Sequence, residues 1–166
     1  LFPYTTLFRS GLARLAQHDQ EAEVRRAAVA ALSFASPEAG PDVLPALQAA
    51  LGDADWQVRQ EAAQTLTRLR WSPSAPVLIA TLQDNAWEVR QKAAHALGVM
   101  RSSEAVGALV GQLDHPISNV RKEVAAALGA IGDPSAAPAL QARLQDTDID
   151  VRKTAARALT LLGQAS

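Results

Sequence analysis

The chain has 166 residues, of which 48% are apolar, 20% charged and only 4% aromatic, a size and composition suited to one folded domain rather than a disordered chain. Lys and Arg number 16 against 17 Asp and Glu, a net charge of −1 that offers no basic excess for nucleic acid or an anionic membrane. The absence of cysteine excludes disulfides, thiolate metal sites and thiol nucleophiles, and no apolar run approaches the roughly 18 residues of a membrane helix.

Residues 1–10 (Leu1-Phe2-Pro3-Tyr4-Thr5-Thr6-Leu7-Phe8-Arg9-Ser10) stand apart from the rest, holding two of the three Phe and the only Tyr. They lack the charged start, apolar run and small-residue cleavage site of a signal peptide. They resemble translated adapter read-through and are set aside as a non-native or unstructured segment. The natural chain is expected to begin further upstream, and with no signal peptide in view a cytoplasmic location is favoured.

From residue 11 one pattern repeats, in copies at about 11–36, 37–70, 71–101, 102–132 and 133–163. The first copy keeps only Leu12 and Leu15 of a first helix, A, before Val24-Arg25 opens a second helix, B, with Ala28, Val29, Leu32 and Ala35. In the second, Pro41, Leu47 and Leu51 mark helix A, and Val58-Arg59, Ala62, Ala63, Leu66 and Leu69 mark helix B. The third has Pro73, Leu78 and Leu82, then Val89-Arg90, Ala93, Ala94, Leu97 and Met100. The fourth has Leu109 and Leu113, then Val120-Arg121, Val124, Ala125, Leu128 and Ile131. The fifth has Pro134, Leu140 and Leu144, then Val151-Arg152, Ala155, Ala156, Leu159 and Leu162.

Counted from the Val, offsets of 0, 4, 8 and 11 draw one apolar stripe along helix B. The alanines predict close helix approach, near the short end of 8–10 Å. One helix pair per period of about thirty-one residues predicts an all-α solenoid of about four and a half pairs. The prolines fall near the starts of helix A, where a missing N–H costs little.

The A-to-B turn carries Asp19, Asp53, Asp84 and Asp146 five residues before the Val; the fourth copy has His115 there, beside Asp114. Three before the Val, at the expected N-cap, stand Glu21, Asp55, Ala86, Ile117 and Asp148. Asp55 and Asp148 can accept the free N–H groups of helix B, and Ser118 is expected to cap in place of Ile117. Gly132 and Gly163 fit the position just past helix B. Arg70 and Arg101 occupy that position in other copies, whose ends are expected to close differently.

The string Asp-x-Asp-x-x-Val-Arg-x-x-Ala-Ala-x-Ala-Leu describes residues 53–66, 84–97 and 146–159, with departures at Gln64-Thr65 and Ala86. It resembles the HEAT-like repeats of the bilin-lyase-like group, over about residues 12–163. The resemblance implies a right-handed superhelical arc with helix B on its concave side. It also implies a structural ladder in which Arg25, Arg59, Arg90, Arg121 and Arg152 pair with the turn acids Asp19, Asp53, Asp84 and Asp146. The group spans scaffolds, chaperone-like adaptors and a few enzymes. Its di-iron hydroxylases of deoxyhypusine carry His-Glu dipeptides, whereas His18, His95 and His115 here precede Asp19, Ala96 and Pro116. Its alkylpurine DNA glycosylases use Trp, Asp and Arg; Trp56, Asp53 and Arg59 look similar, but the repeat already explains their places.

The exposed rows of helix B are the expected binding surface: Arg26, Gln60, Gln91, Lys122 and Lys153 two after the Val, with Gln64, His95 and Arg157 six after. Trp56 and Trp87 share one place in adjacent copies and are either hot-spot contacts or junction packing, with packing favoured. Trp71 reads as a local turn staple. The three histidines have no ligand spacing, and no catalytic or metal motif is seen. The favoured function is a non-catalytic scaffold that holds an acidic or amphipathic protein segment, without cofactor. The alternatives are a bilin-lyase-like subunit that chaperones a tetrapyrrole onto a partner, and weak nucleic-acid backbone binding at Lys122, Lys153 and Arg157. Leu159, Leu161 and Leu162 close the chain without a polar cap, so that edge is expected to continue or to face a partner.

Overall fold

A computed structural model describes residues 3–35 and 40–164. The chain divides into two compact units, Leu1–Val77 and Leu78–Ser166. The first holds α1 (Pro3–His18), α2 (Ala22–Ala31), α3 (Gly40–Ala50) and α4 (Trp56–Leu69). Helix α5 (Ala75–Thr81) straddles the division. The second holds α6 (Trp87–Val99), α7 (Val106–Val110), α8 (Ser118–Ile131), α9 (Ala137–Ala142) and α10 (Ile149–Gln164).

Within each unit the second helix of one pair stacks on the second helix of the next. Helix α2 packs on α4, α6 on α8, and α8 on α10; the short first helices α7 and α9 lie against α8 and α10. This is the stacking of an α-solenoid, and the stripe drives it. Val58, Val89, Val120 and Val151 are fully buried, with Ala62, Ala63, Ala93, Ala94, Val124, Ala125 and Ala155 beneath them. Leu66, Leu97 and Leu128 are equally buried. Truncating such a leucine to alanine costs about 2–5 kcal/mol, so the stripe carries much of the stability. The ends of the pattern are looser: Val24 is 38% exposed and Leu159 is half-buried.

The seams are closer than alanine alone provides. A Cβ on Gly98 would lie 2.7 Å from Ala127 Cα, and one on Gly129 would lie 2.8 Å from Ala158 Cα. These glycines occupy the same place, nine after the Val, in consecutive copies. In the first unit the residue equivalent to Ala127 is Thr65, fully buried, and its hydroxyl donates to the Val29 carbonyl of α2 at 3.3 Å.

Several expectations need correction. The first helix A is not reduced to Leu12 and Leu15: α1 is sixteen residues long and packs on α2 and α3. The set-aside segment is therefore helical from Pro3, with Leu1 and Phe2 outside the described residues. A Pro fits the first helical position, and Ala16, buried to 1%, anchors the far end of the helix. Leu7 and Phe8 point outward, 71% and 67% exposed.

Arg70 closes its helix as Gly132 does, whereas the Arg101 end closes differently: Met100 is the C-cap in the right-handed region, and the Arg101 and Ser102 N–H groups reach Gly98 O and Leu97 O, both at 3.1 Å. Arg70, Arg101 and Gly132 all adopt the left-handed conformation, with φ of 52°, 52° and 81°. The Arg70 N–H still reaches Leu66 O at 3.0 Å, as Gly132 N–H reaches Leu128 O at 3.1 Å. Gly163 is not a terminator, because α10 runs through it.

Candidate functional site

The A-to-B turn is built by one device in every copy. The residue five before the Val accepts the backbone N–H two residues on: Glu21 to Asp19 Oδ1 at 2.9 Å, Asp55 to Asp53 Oδ1 at 2.8 Å, Ala86 to Asp84 Oδ1 at 2.8 Å and Asp148 to Asp146 Oδ1 at 2.9 Å. This is the Asx-turn habit of aspartate. His115 does the same through Nδ1, accepting from Ile117 N–H at 3.1 Å. The capping role expected three before the Val is played by Asp55, which accepts from Gln57 and Val58, and by Asp148, which accepts from Asp150 and Val151. Glu21, Ala86 and Ile117 occupy that place without a side-chain cap. Ser118 is the first residue of α8, and the cap position before it is held by Ile117. The N–H groups of Val151 and Asp150 and the nearby Ser118 side chain hold Asp148 below the usual carboxylate range.

Each ladder arginine folds back on its own turn. Arg25 reaches Asp19 O at 2.8 Å, Arg59 reaches Asp53 O at 2.8 Å, Arg121 reaches His115 O at 2.8 Å and Arg152 reaches Asp146 O at 2.7 Å. Arg90 donates to Asp84 O in the same way. Arg25 and Arg121 then reach forward as bidentate forks. Arg25 grips Asp53 at 2.7 and 2.8 Å, and Arg121 grips Asp146 at 2.9 and 2.8 Å. Such charge-assisted pairs fix geometry as well as adding energy. They hold Asp53 and Asp146 below the ordinary carboxylate value, the arginine hydrogen bond being the largest cause in each.

The fourth turn breaks the series. Arg90 finds a histidine where Arg25 and Arg121 find a carboxylate, and it reaches Gln112 Oε1 at 3.4 Å instead. Asp114 pairs with Arg143 at 3.0 Å. Burial first, then the charges of Arg90 and Arg121, hold His115 below the usual imidazole value.

Around the outer rows, the two second-helix junctions of the second unit share a register, and a groove opens at the second of them. In the first, His95 Nδ1 meets Glu123 Oε1 at 2.8 Å and bridges α6 to α8, which engages one residue of the expected binding row within the stack. In the second, between α8 and α10, Ala126 stands for His95 and Thr154 for Glu123. That groove is an open depression of about 390 Å³ lined by Lys122, Glu123, Ala126, Ala130, Thr154, Arg157, Ala158 and Leu161.

The expected binding residues are therefore only partly gathered. Lys122 and Arg157 share this depression, while Lys153 is exposed on α10 outside its lining. Gln91 is half-buried on α6. In the first unit Arg26 pairs with Glu23 at 2.6 Å, and Gln60 and Gln64 are half-buried on α4. Trp56 is 39% exposed and Trp87 half-buried, each at the first residue of its helix. Trp71 holds its turn through its carbonyl, which accepts from Ser74 N–H and Oγ at 3.0 and 2.6 Å.

Among the described residues no group of three or more His, Cys, Asp or Glu is placed to hold a metal ion, and no helix is long and apolar enough to cross a membrane. The glycines of the seam and the open groove are what sequence reasoning missed. Their signal was the recurrence of Gly nine after the Val, at Gly98 and Gly129, and the change from His95 to Ala126 six after it.

Comparison with known proteins places these observations. The family model for HEAT repeats matches residues 10–85 and 75–160. The complex of CpcE and CpcF of phycocyanin lyase from Nostoc sp. PCC7120 is similar, with a TM-score of 0.81 and 28% identity over 93% of this chain. The chain spans 65% of the length of that neighbour. A designed armadillo repeat protein in complex with the peptide (KR)4 shares the fold, with a TM-score of 0.68 and 24% identity over 92% of this chain and 81% of that one. Human deoxyhypusine hydroxylase shares it too, with a TM-score of 0.63 and 23% identity over 94% of this chain and 74% of that one. A search of curated proteins finds no match.

Proposed function

The chain belongs to the HEAT-repeat family, and on that premise we propose that it is a non-catalytic adaptor that displays the exposed rows of its second helices to a protein partner. The observation that carries this reading is a division of labour among the cations. The ladder arginines are consumed by their own turns and by neighbouring carboxylates. Lys122, Lys153 and Arg157 make no ion pair or side-chain hydrogen bond among the described residues, and they face outward on α8 and α10. Free cations on a rigid stack suit a partner segment that is acidic or amphipathic. The ladder is assigned a structural role, the outer rows of both units a binding role, and Trp56 and Trp87 a packing role. The test is affinity capture with the wild-type chain and with Lys122→Glu, Lys153→Glu and Arg157→Glu combined. Loss of the captured protein supports the adaptor reading; unchanged recovery removes this face from the function.

A second reading rests on the likeness to the phycocyanin lyase complex, the neighbour with the TM-score of 0.81. In it the chain is a subunit that holds an open-chain tetrapyrrole for transfer to a partner. Mixing the chain with phycocyanobilin and following the visible spectrum tests it. A shifted band supports that role, and an unchanged spectrum rejects it.

A further inference from the structure

We propose that the open groove between α8 and α10 is the seat of an acidic peptide segment, with one aliphatic side chain on its floor and a carboxylate beside it. The inference rests on the adaptor reading and narrows it to one place and one chemistry.

In the second unit α8 meets α6 on one side and α10 on the other. The two junctions share a register, since His95 and Ala126 both stand six after the Val, and Glu123 and Thr154 both stand three after it. The α6–α8 junction is bridged by the 2.8 Å His95–Glu123 contact. Across α8–α10 the methyl of Ala126 cannot reach its opposite number. Thr154, which lines the groove, turns its hydroxyl back to the Asp150 carbonyl at 2.7 Å, so that hydroxyl is satisfied within α10. One junction is thus bridged by its own side chains and the next is left open.

The open groove is apolar below and charged at its rim. Ala126, Ala130 and Ala158 form a floor of single methyls, and Leu161 adds an aliphatic side chain that is 42% exposed. Lys122 and Arg157 stand at the rim with no anionic partner among the described residues. The one lining carboxylate, Glu123, is engaged by His95. The lining therefore offers two unspent positive charges beside an uncovered apolar patch. A volume of about 390 Å³ lies near the lower end of ligand-sized pockets, enough for a side-chain anchor rather than a large cofactor. Charge complementarity selects a carboxylate-bearing occupant, and the methyl floor selects an aliphatic anchor rather than a wholly polar one. An extended or helical segment laid along the groove meets both demands, as in groove recognition generally.

The test uses the full chain, isotope-labelled, titrated with a blocked octapeptide of alternating Leu and Glu. Alternating Leu and Lys, and alternating Ser and Glu, serve as controls. The expected result is amide shifts centred on α8 and α10 with the Leu–Glu peptide alone. Arg157→Glu and Ala126→Phe, both at exposed positions, should each weaken binding about tenfold or more, with thermal midpoints near wild type. Absent binding, equal binding of the Ser–Glu peptide, or wild-type affinity in either variant overturns the proposal. Shifts centred instead on Gln60 or Gln91 overturn the groove but leave the adaptor reading standing. Retained partner capture by the triple charge reversal overturns the adaptor face itself.

Discussion

Replacing Gly98 with alanine separates two physical effects of opposite sign. Taken alone, helix propensity predicts a gain, because alanine is favoured over glycine inside a helix by about 1 kcal/mol. The seam predicts a loss. The new methyl would sit 2.7 Å from Ala127 Cα and 2.9 Å from its Cβ, inside contact distance of a packed backbone. Overpacking of this kind costs about 1–3 kcal/mol, and a clash with main chain belongs at the upper end. The net expectation is a loss of about 2 kcal/mol, or roughly 4–8 °C in thermal midpoint for a chain of this size. Because the nearest atom is a Cα, adding Ala127→Gly should not restore stability. Gly129→Ala should behave alike, its methyl meeting Ala158 Cα at 2.8 Å. Gly107→Ala, on exposed α7 with nothing within 4 Å, is the control and should stabilise slightly. Circular dichroism melts of the four variants decide the matter. A Gly98→Ala midpoint at or above wild type, or its rescue by Ala127→Gly, would refute the close-seam reasoning.

Three further outcomes follow from the turns. Arg121→Ala removes one partner of the buried fork with Asp146 and leaves that carboxylate uncompensated; a loss of roughly 3 kcal/mol is expected in urea unfolding, and a loss below ~1 kcal/mol would contradict the ladder's structural role. His115 titrates below its ordinary value of 6.5 in the folded chain, so the unfolded chain binds that proton more readily and stability falls as pH drops through that value. His115→Asp should abolish this near-neutral dependence and raise the midpoint at pH 7 by supplying Arg90 with a carboxylate; melts at pH 5 and pH 7 test both halves. Asp53 and Asp146 add a loss of the same sign in a lower window, with folded values depressed below 3.8 by their arginine partners: their stabilisation is complete above that pH and is lost as pH falls below it, which an acid titration followed by helical ellipticity will register.

The recurrence of Val58, Val89, Val120 and Val151 was enough to read stacked helix pairs and their buried stripe, though not the full length of the first helix, because an apolar face repeated at helical spacing has only one economical way to leave water. The turn aspartates were legible too, Asp55 and Asp148 as caps and Asp19, Asp53, Asp84 and Asp146 as ladder partners, though not the latter as acceptors for the N–H two residues on. Other features depended on which atoms come within reach across a seam. Gly98 and Gly129 look like mild helix weaknesses in a string of letters and become contact points only when another helix lies against them. His95 looks solvated until Glu123 arrives from the next copy, and the open groove exists because Ala126 and Thr154 fail to make the same reach. The left-handed ends at Arg70 and Arg101 were hidden for a similar reason: a packed stack can impose a backbone conformation that these side chains would not choose. Periodicity is a property of the sequence along one helix, and it fixed the elements. Approach and pairing between helices are set by distances that only the folded chain defines.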